Sequence, residues 1–89
     1  MASIANARQL GAAVRAGRKR RGLSQAKLAE QAGVSRAWLA RFENGHPAAS
    51  IEQIFRVLRS LDLTISIGER THTSAEAAVL AALAAREKR

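Results

Sequence analysis

The side chains best equipped for chemistry in this chain are its cations. Residues 1–42 carry nine Lys/Arg (Arg8, Arg15, Arg18, Lys19, Arg20, Arg21, Lys27, Arg36 and Arg41) against one acid, Glu30, whereas residues 43–89 carry six of each sign. The whole net charge of +8 therefore lies in the first half. A charge so one-sided attracts a polyanion, nucleic acid first and an anionic membrane surface second. The alternative is a solvated basic face with no ligand. The parts of a catalytic site are missing: there is no Cys, no Tyr and no glycine-rich phosphate loop, and His46 and His72 stand far apart without ligand spacing. The chain is read as no enzyme, with no cofactor and no metal.

The elements that position these cations have little apolar material to work with. Of 89 residues, 47% are hydrophobic, but 20 residues are alanine and only 22 are larger apolar side chains. Without cysteine or a Cys/His cluster, neither a disulfide nor a structural zinc supplements so small a core. Helix packing or oligomerisation must supply the stability. The longest run without a polar residue, Ala77 to Ala85, is nine residues, far short of the roughly 20 that span a bilayer. The first six residues have neither a basic region nor an apolar stretch, so a cytoplasmic location is expected.

Periodicity divides the chain into four helices and one strand. Leu10, Ala13, Val14 and Gly17 recur at helical spacing over 7–21, and Gly22 ends that helix. The Arg18-Lys-Arg-Arg21 run suits the negative end of the helix dipole, with phosphate contact as an added role for some members. Ser24 is an N-cap for a short helix over 25–32, buried through Leu28, Ala29 and Ala32. Gly33 breaks it. Ser35 starts a third helix reaching Asn44, with Leu39 and Phe42 inward, before Gly45 and Pro47. A fourth runs from after Ser50 to about Leu61, with Ile51, Ile54, Phe55 and Leu58 on one face.

Beyond that helix the period drops to two. Leu61, Leu63, Ile65 and Ile67 alternate with Asp62, Thr64 and Ser66, which predicts a half-buried strand over 62–68 closed by Gly68. A lone strand leaves its backbone groups unpaired, so a second copy is expected to supply the neighbour across a two-fold axis. Leu61, Leu63, Ile65 and Ile67 are then the interface. The alternative partner is the short segment 3–5. Thr73 and Glu76 have capping-box spacing ahead of an Ala-rich tail, residues 69–89, which either docks as a helix or frays. The organisation is an N-terminal arm (1–6), a four-helix unit (7–61), a dimerisation strand (62–68) and the tail.

Residues 25–44 carry the most demanding pattern. Leu28, Ala32, Val34, Leu39 and Phe42 supply apolar contacts, Ala29 keeps one helix thin where the next crosses it, and Gly33 permits a left-handed turn. These requirements define a helix-turn-helix. Leu23-Ser-Gln-Ala-Lys-Leu-Ala-Glu-Gln-Ala-Gly-Val-Ser35, followed by Phe42-Glu-Asn-Gly45, resembles the Xre family of lambda-repressor-like DNA-binding domains over about residues 8 to 61. The resemblance implies an all-α, lambda-repressor-like bundle, to which the sequence adds its one strand paired across a dimer.

The same resemblance assigns roles. The second motif helix would enter the major groove of double-stranded DNA, with Arg36, Ala37, Trp38 and Arg41 where family members read bases. Arginine can donate two hydrogen bonds to guanine, and Ala37 offers a methyl contact. Trp38 either packs on Phe42 or touches a sugar or thymine methyl. Gln25 occupies the place where the family grips a phosphate, with Lys27, Ser35 and Asn44 as further phosphate candidates. Ser35 and Asn44 also serve as helix start and stop. Arg18 and Glu43 match positions that form a structural salt bridge in relatives.

The helix running directly into a strand, Leu58 to Ile67, is similar to the HipB-like antitoxins. That likeness implies a homodimeric autorepressor on a pseudo-palindromic operator which also binds a HipA-like Ser/Thr kinase toxin. The tail does not match that pattern. A phage-type or metabolic Xre regulator without a toxin, and an interaction module that binds no DNA, are the other readings. The concentrated positive charge argues against the last. A membrane-surface helix is disfavoured because the basic helix lacks bulky aromatics.

Overall fold

Asn6, Ser24, Ser35 and Ser50 all have extended backbone, and each turns a side-chain oxygen onto the N–H three residues ahead. Each cap satisfies one of the donors that a helix start leaves without a partner. The helices they begin are α1 (Ala7–Arg20), α2 (Gln25–Ala32), α3 (Arg36–Glu43) and α4 (Ile51–Ser60), followed later by α5 (Ser74–Glu87). This computed structural model describes residues 3–69 and 74–87. The four N-terminal helices lie within two residues of the spans predicted from periodicity.

The helix ends are as regular as the starts. At α2, Gly33 has φ 71°, the Gly33 N–H donates to the Glu30 carbonyl at 3.3 Å, and the Val34 N–H donates to the Ala29 carbonyl at 3.0 Å. This Schellman closure needs left-handed backbone, which glycine adopts without steric cost. It reverses the chain and sends Val34 back onto the core, and α3 starts two residues later. The α4 end uses the same closure without glycine. Asp62 has φ 54°, its N–H donates to Arg59 at 3.1 Å, and the Leu63 N–H donates to Leu58 at 2.8 Å.

α1 packs on α3, and α2 packs on both α3 and α4. Val14, Leu28, Leu39, Phe42, Val57 and Leu61 are the largest fully buried side chains, with Leu58, Ala29 and Ala32 completing the core. Burying each of the larger residues contributes roughly 1.5–3 kcal/mol. α1 approaches the end of α3 closely at Gly11, where a Cβ would overlap the Phe42 carbonyl oxygen and lie 3.0 Å from that of Glu43.

Two expectations are corrected here. The buried face of α4 is centred on Ile54, Val57, Leu58 and Leu61, leaving Ile51 at 68% and Phe55 at 41% exposure. The strand expected over 62–68 does not form: no strand is present among the described residues, and 63–69 runs without ladder partners. Two physical causes account for this. Leu61, Asp62 and Leu63 belong to the α4 closure, so their apolar alternation reflects a helix cap rather than a pleat. The remainder has no second strand to pair with among the described residues. Leu61 is fully buried in the chain's own core and Leu63 packs half-buried against it, while Ile65 and Ile67 are exposed.

The tail does form a helix, α5, and Val79, Leu80 and Leu83 on it are exposed. The capping box anticipated at Thr73 lies outside the described residues. Among the described residues, no helix is long and apolar enough to cross a membrane.

Candidate nucleic-acid interface

α3 divides cleanly into two faces. Leu39, Phe42 and Glu43 are buried, while Arg36, Ala37 and Arg41 are exposed on the other side together with Asn44 at the C-cap. Ser35 starts the helix by accepting the Trp38 N–H at 3.0 Å. Arginines at 36 and 41 flank Ala37 and the half-buried Ala40, a small residue that pattern reading passed over. The surface between Arg36 and Arg41 thus carries only small side chains.

Behind this face lies a network of buried polar groups. The Arg18 Nε donates to Glu43 Oε2 at 2.7 Å and its Nη2 donates to Oε1 at 3.1 Å, while Nη1 donates to the Leu23 carbonyl at 2.8 Å. The Glu43 side chain is 2% exposed and that of Arg18 10%. The Gln25 Nε2 also donates to Glu43 Oε1, at 3.1 Å. One carboxylate at the end of α3 therefore holds the end of α1, the start of α2 and, through Arg18, the turn between them. The ion pair was anticipated. The glutamine link was not, because nothing in residue type or spacing marks it.

Each predicted contact residue now has a place. Arg36, Ala37, Arg41 and Lys27 are exposed. Ser24 accepts the Lys27 N–H at 3.0 Å, which leaves the earlier N–H groups of α2 without a helical acceptor. Asn44 donates through Nδ2 to the Ala40 carbonyl at 3.0 Å, so its amide closes its own helix. Trp38 is half-buried and stacked on Phe42, with ring centroids 5.1 Å apart and planes at 12°. The ring thus packs on Phe42 and keeps part of its surface exposed. Apart from Arg18, the cations of the first 42 residues are exposed.

The Helix-turn-helix family matches residues 14–67, the stretch that holds α2, the Gly33 turn and α3. The chain belongs to the helix-turn-helix family. Within curated relatives of this helix-turn-helix protein, antitoxin HipB of Escherichia coli O6:H1 (strain CFT073) is 33% identical over 70 residues, spanning 79% of this chain and 74% of its own length. The uncharacterized HTH-type transcriptional regulator y4mF of Sinorhizobium fredii (strain NBRC 101917 / NGR234) is 41% identical over 64 residues, spanning 68% of this chain and 84% of its own. Among solved structures, a HipB–O4 20mer complex superposes with TM-score 0.74 at 27% identity, covering 80% of this chain and all of the other. A HipA–HipB–O2–O3 complex matches with the same TM-score, identity and coverage. The helix-turn-helix chain therefore resembles the HipB antitoxins in sequence and in fold.

Proposed function

We propose that this protein is a sequence-specific repressor of duplex DNA and the antitoxin of a HipBA-type module, autoregulating its operon and binding a HipA-like Ser/Thr kinase toxin. The observation that carries the DNA reading is the exposed face of α3, where Arg36, Ala37 and Arg41 stand clear of the core beside an overwhelmingly basic first half. Placed in a major groove, the two guanidinium groups present forked donors to guanine O6 and N7 and Ala37 presents a methyl. Lys27, Ser35 and the open N–H groups of α2 lie against the phosphates that set the helix in register. The HipB complex among the matched structures supports this reading, and the HipA–HipB complex supports the toxin partner.

The active form is a homodimer. Ile51, Phe55, Ile65 and Ile67 remain exposed in the single chain, Ile67 at 96%, a set that a soluble protein with so small a core gains by covering. A two-fold copy of the chain that covers Ile65 and Ile67 together with Ile51 and Phe55 of α4 would form an isologous interface. Two groove helices would then sit about 34 Å apart on a pseudo-palindromic operator.

Titration of a fluorescent duplex over a range of salt concentrations tests the reading. With roughly 6 to 10 phosphate contacts per dimer, log affinity falls against log salt with a slope of about −5 to −9. A flat response overturns it. The alternative is a transcriptional regulator that acts without a toxin; the name of y4mF, 41% identical, supports the regulator part of it. Co-expression with the adjacent reading frame separates the two, since a co-purifying kinase selects the antitoxin.

A further inference from the structure

We propose that Glu43 is a positioning residue for DNA, acting through Gln25. The inference rests on the DNA reading above and adds to it the device that aims the phosphate-gripping end of α2. Glu43 is a buried carboxylate whose Oε1 receives two donors, Nη2 of Arg18 and Nε2 of Gln25, each at 3.1 Å. A carboxylate oxygen is an acceptor only, so the Gln25 amide must face it with its NH2 group. The orientation of that amide is therefore not free. One Nε2 hydrogen is committed to Glu43, and the other points away from the buried pair.

Gln25 is the first residue of α2, and the Ser24 hydroxyl takes the Lys27 N–H. The N–H groups of Gln25 and Ala26 consequently have no helical acceptor. Together with the second Nε2 hydrogen they form a short row of donors suited to one DNA phosphate oxygen set. A free glutamine on a helix start samples several rotamers and loses that freedom on binding. Glu43 removes the loss in advance, and because it ends α3 it ties the phosphate grip to the helix that carries Arg36 and Arg41. Arg18 in turn holds the carboxylate in register from α1 by a two-point contact.

The test is a mutant cycle read by duplex binding and circular dichroism. Gln25→Met keeps length and leaves the Arg18–Glu43 pair in place. It is expected to weaken binding to every duplex by about tenfold to a hundredfold, the worth of one hydrogen bond to a charged group. The slope against salt stays unchanged, because a neutral side chain releases no counterion. Arg18→Met/Glu43→Leu replaces the buried pair by apolar groups of similar volume. In that background Gln25→Met is expected to cost less than about twofold, since the amide is no longer aimed. An equal loss in both backgrounds overturns the positioning role, and no loss in the native background overturns the contact itself.

Should the paired variant fail to fold, the side-chain amide signals of Gln25 in the native protein decide. On DNA addition one Nε2 proton shifts strongly while its partner, held by Glu43, moves little; two unshifted protons overturn the proposal. A native protein that ignores duplex DNA at low salt removes the functional reading and this inference together, an outcome distinct from all the others.

Discussion

Arg18 and Glu43, 25 residues apart in sequence, meet in a two-point ion pair whose shorter contact is 2.7 Å. Removing one partner of such a pair leaves the other charged and dehydrated. Glu43→Ala is expected to destabilise by about 3–5 kcal/mol in urea titrations. Replacing both residues by Met and Leu should cost far less, within about 2 kcal/mol of the native protein, because no buried charge is then left alone. A double variant as unstable as the single one would show that the pair itself, rather than its completeness, holds the helices.

Gly11 lies where α1 meets the end of α3, with the Phe42 and Glu43 carbonyl oxygens in the space a Cβ would need. The obstacle is backbone, which cannot rotate aside as a flexible side chain could. Gly11→Ala should therefore destabilise by about 1–3 kcal/mol despite the better helix propensity of alanine. Thermal unfolding checks it: a raised midpoint would mean that the two helices separate freely.

Asp62 closes α4 at φ 54°, where a side chain costs about 1 kcal/mol and glycine costs almost nothing. Asp62→Gly is expected to stabilise the fold by about 0.5–1 kcal/mol, partly offset by the greater freedom of glycine in the unfolded chain. Asp62→Val should do the reverse. The same unfolding measurement decides, and a destabilised glycine variant would count against the closure.

On the proposed DNA face, Arg41→Ala should weaken specific binding by about 1–3 kcal/mol per half-site and relax one base preference, while Lys27→Ala should weaken all sequences about equally and lower the salt slope by about 2 per dimer, one contact from each half-site. Selection from a randomised duplex library distinguishes the two. Uniform losses for both would remove Arg41 from base recognition.

For the dimer, Ile65→Lys should give a monomer by light scattering, as should Phe55→Lys on the exposed side of α4. These substitutions leave the buried core untouched, so far-ultraviolet circular dichroism should stay native. An unchanged dimer mass for both would place the interface elsewhere.

The helix-turn-helix was legible because its constraints are local: a serine cap, a glycine at a left-handed turn, and apolar residues three and four apart. What failed to read was what depends on neighbours. Leu61 and Leu63 looked like alternate positions of a pleat, yet their backbone closes a helix, and the aspartate between them gave no glycine to announce it. Ile51 and Phe55 share the helical stripe with Leu58, but the position of α2 sets which edge of that stripe is covered. The Gln25–Glu43 contact spans 18 residues and leaves no periodic trace.

The stack of Trp38 on Phe42 has a practical outcome. The chain holds a single tryptophan and no tyrosine, and that indole sits half-buried on α3, one turn from Arg41. Light absorbed near the red edge of the protein spectrum is therefore emitted from one place only, on the helix assigned to the groove. Intrinsic fluorescence can follow the arrival of DNA in real time, with no dye attached.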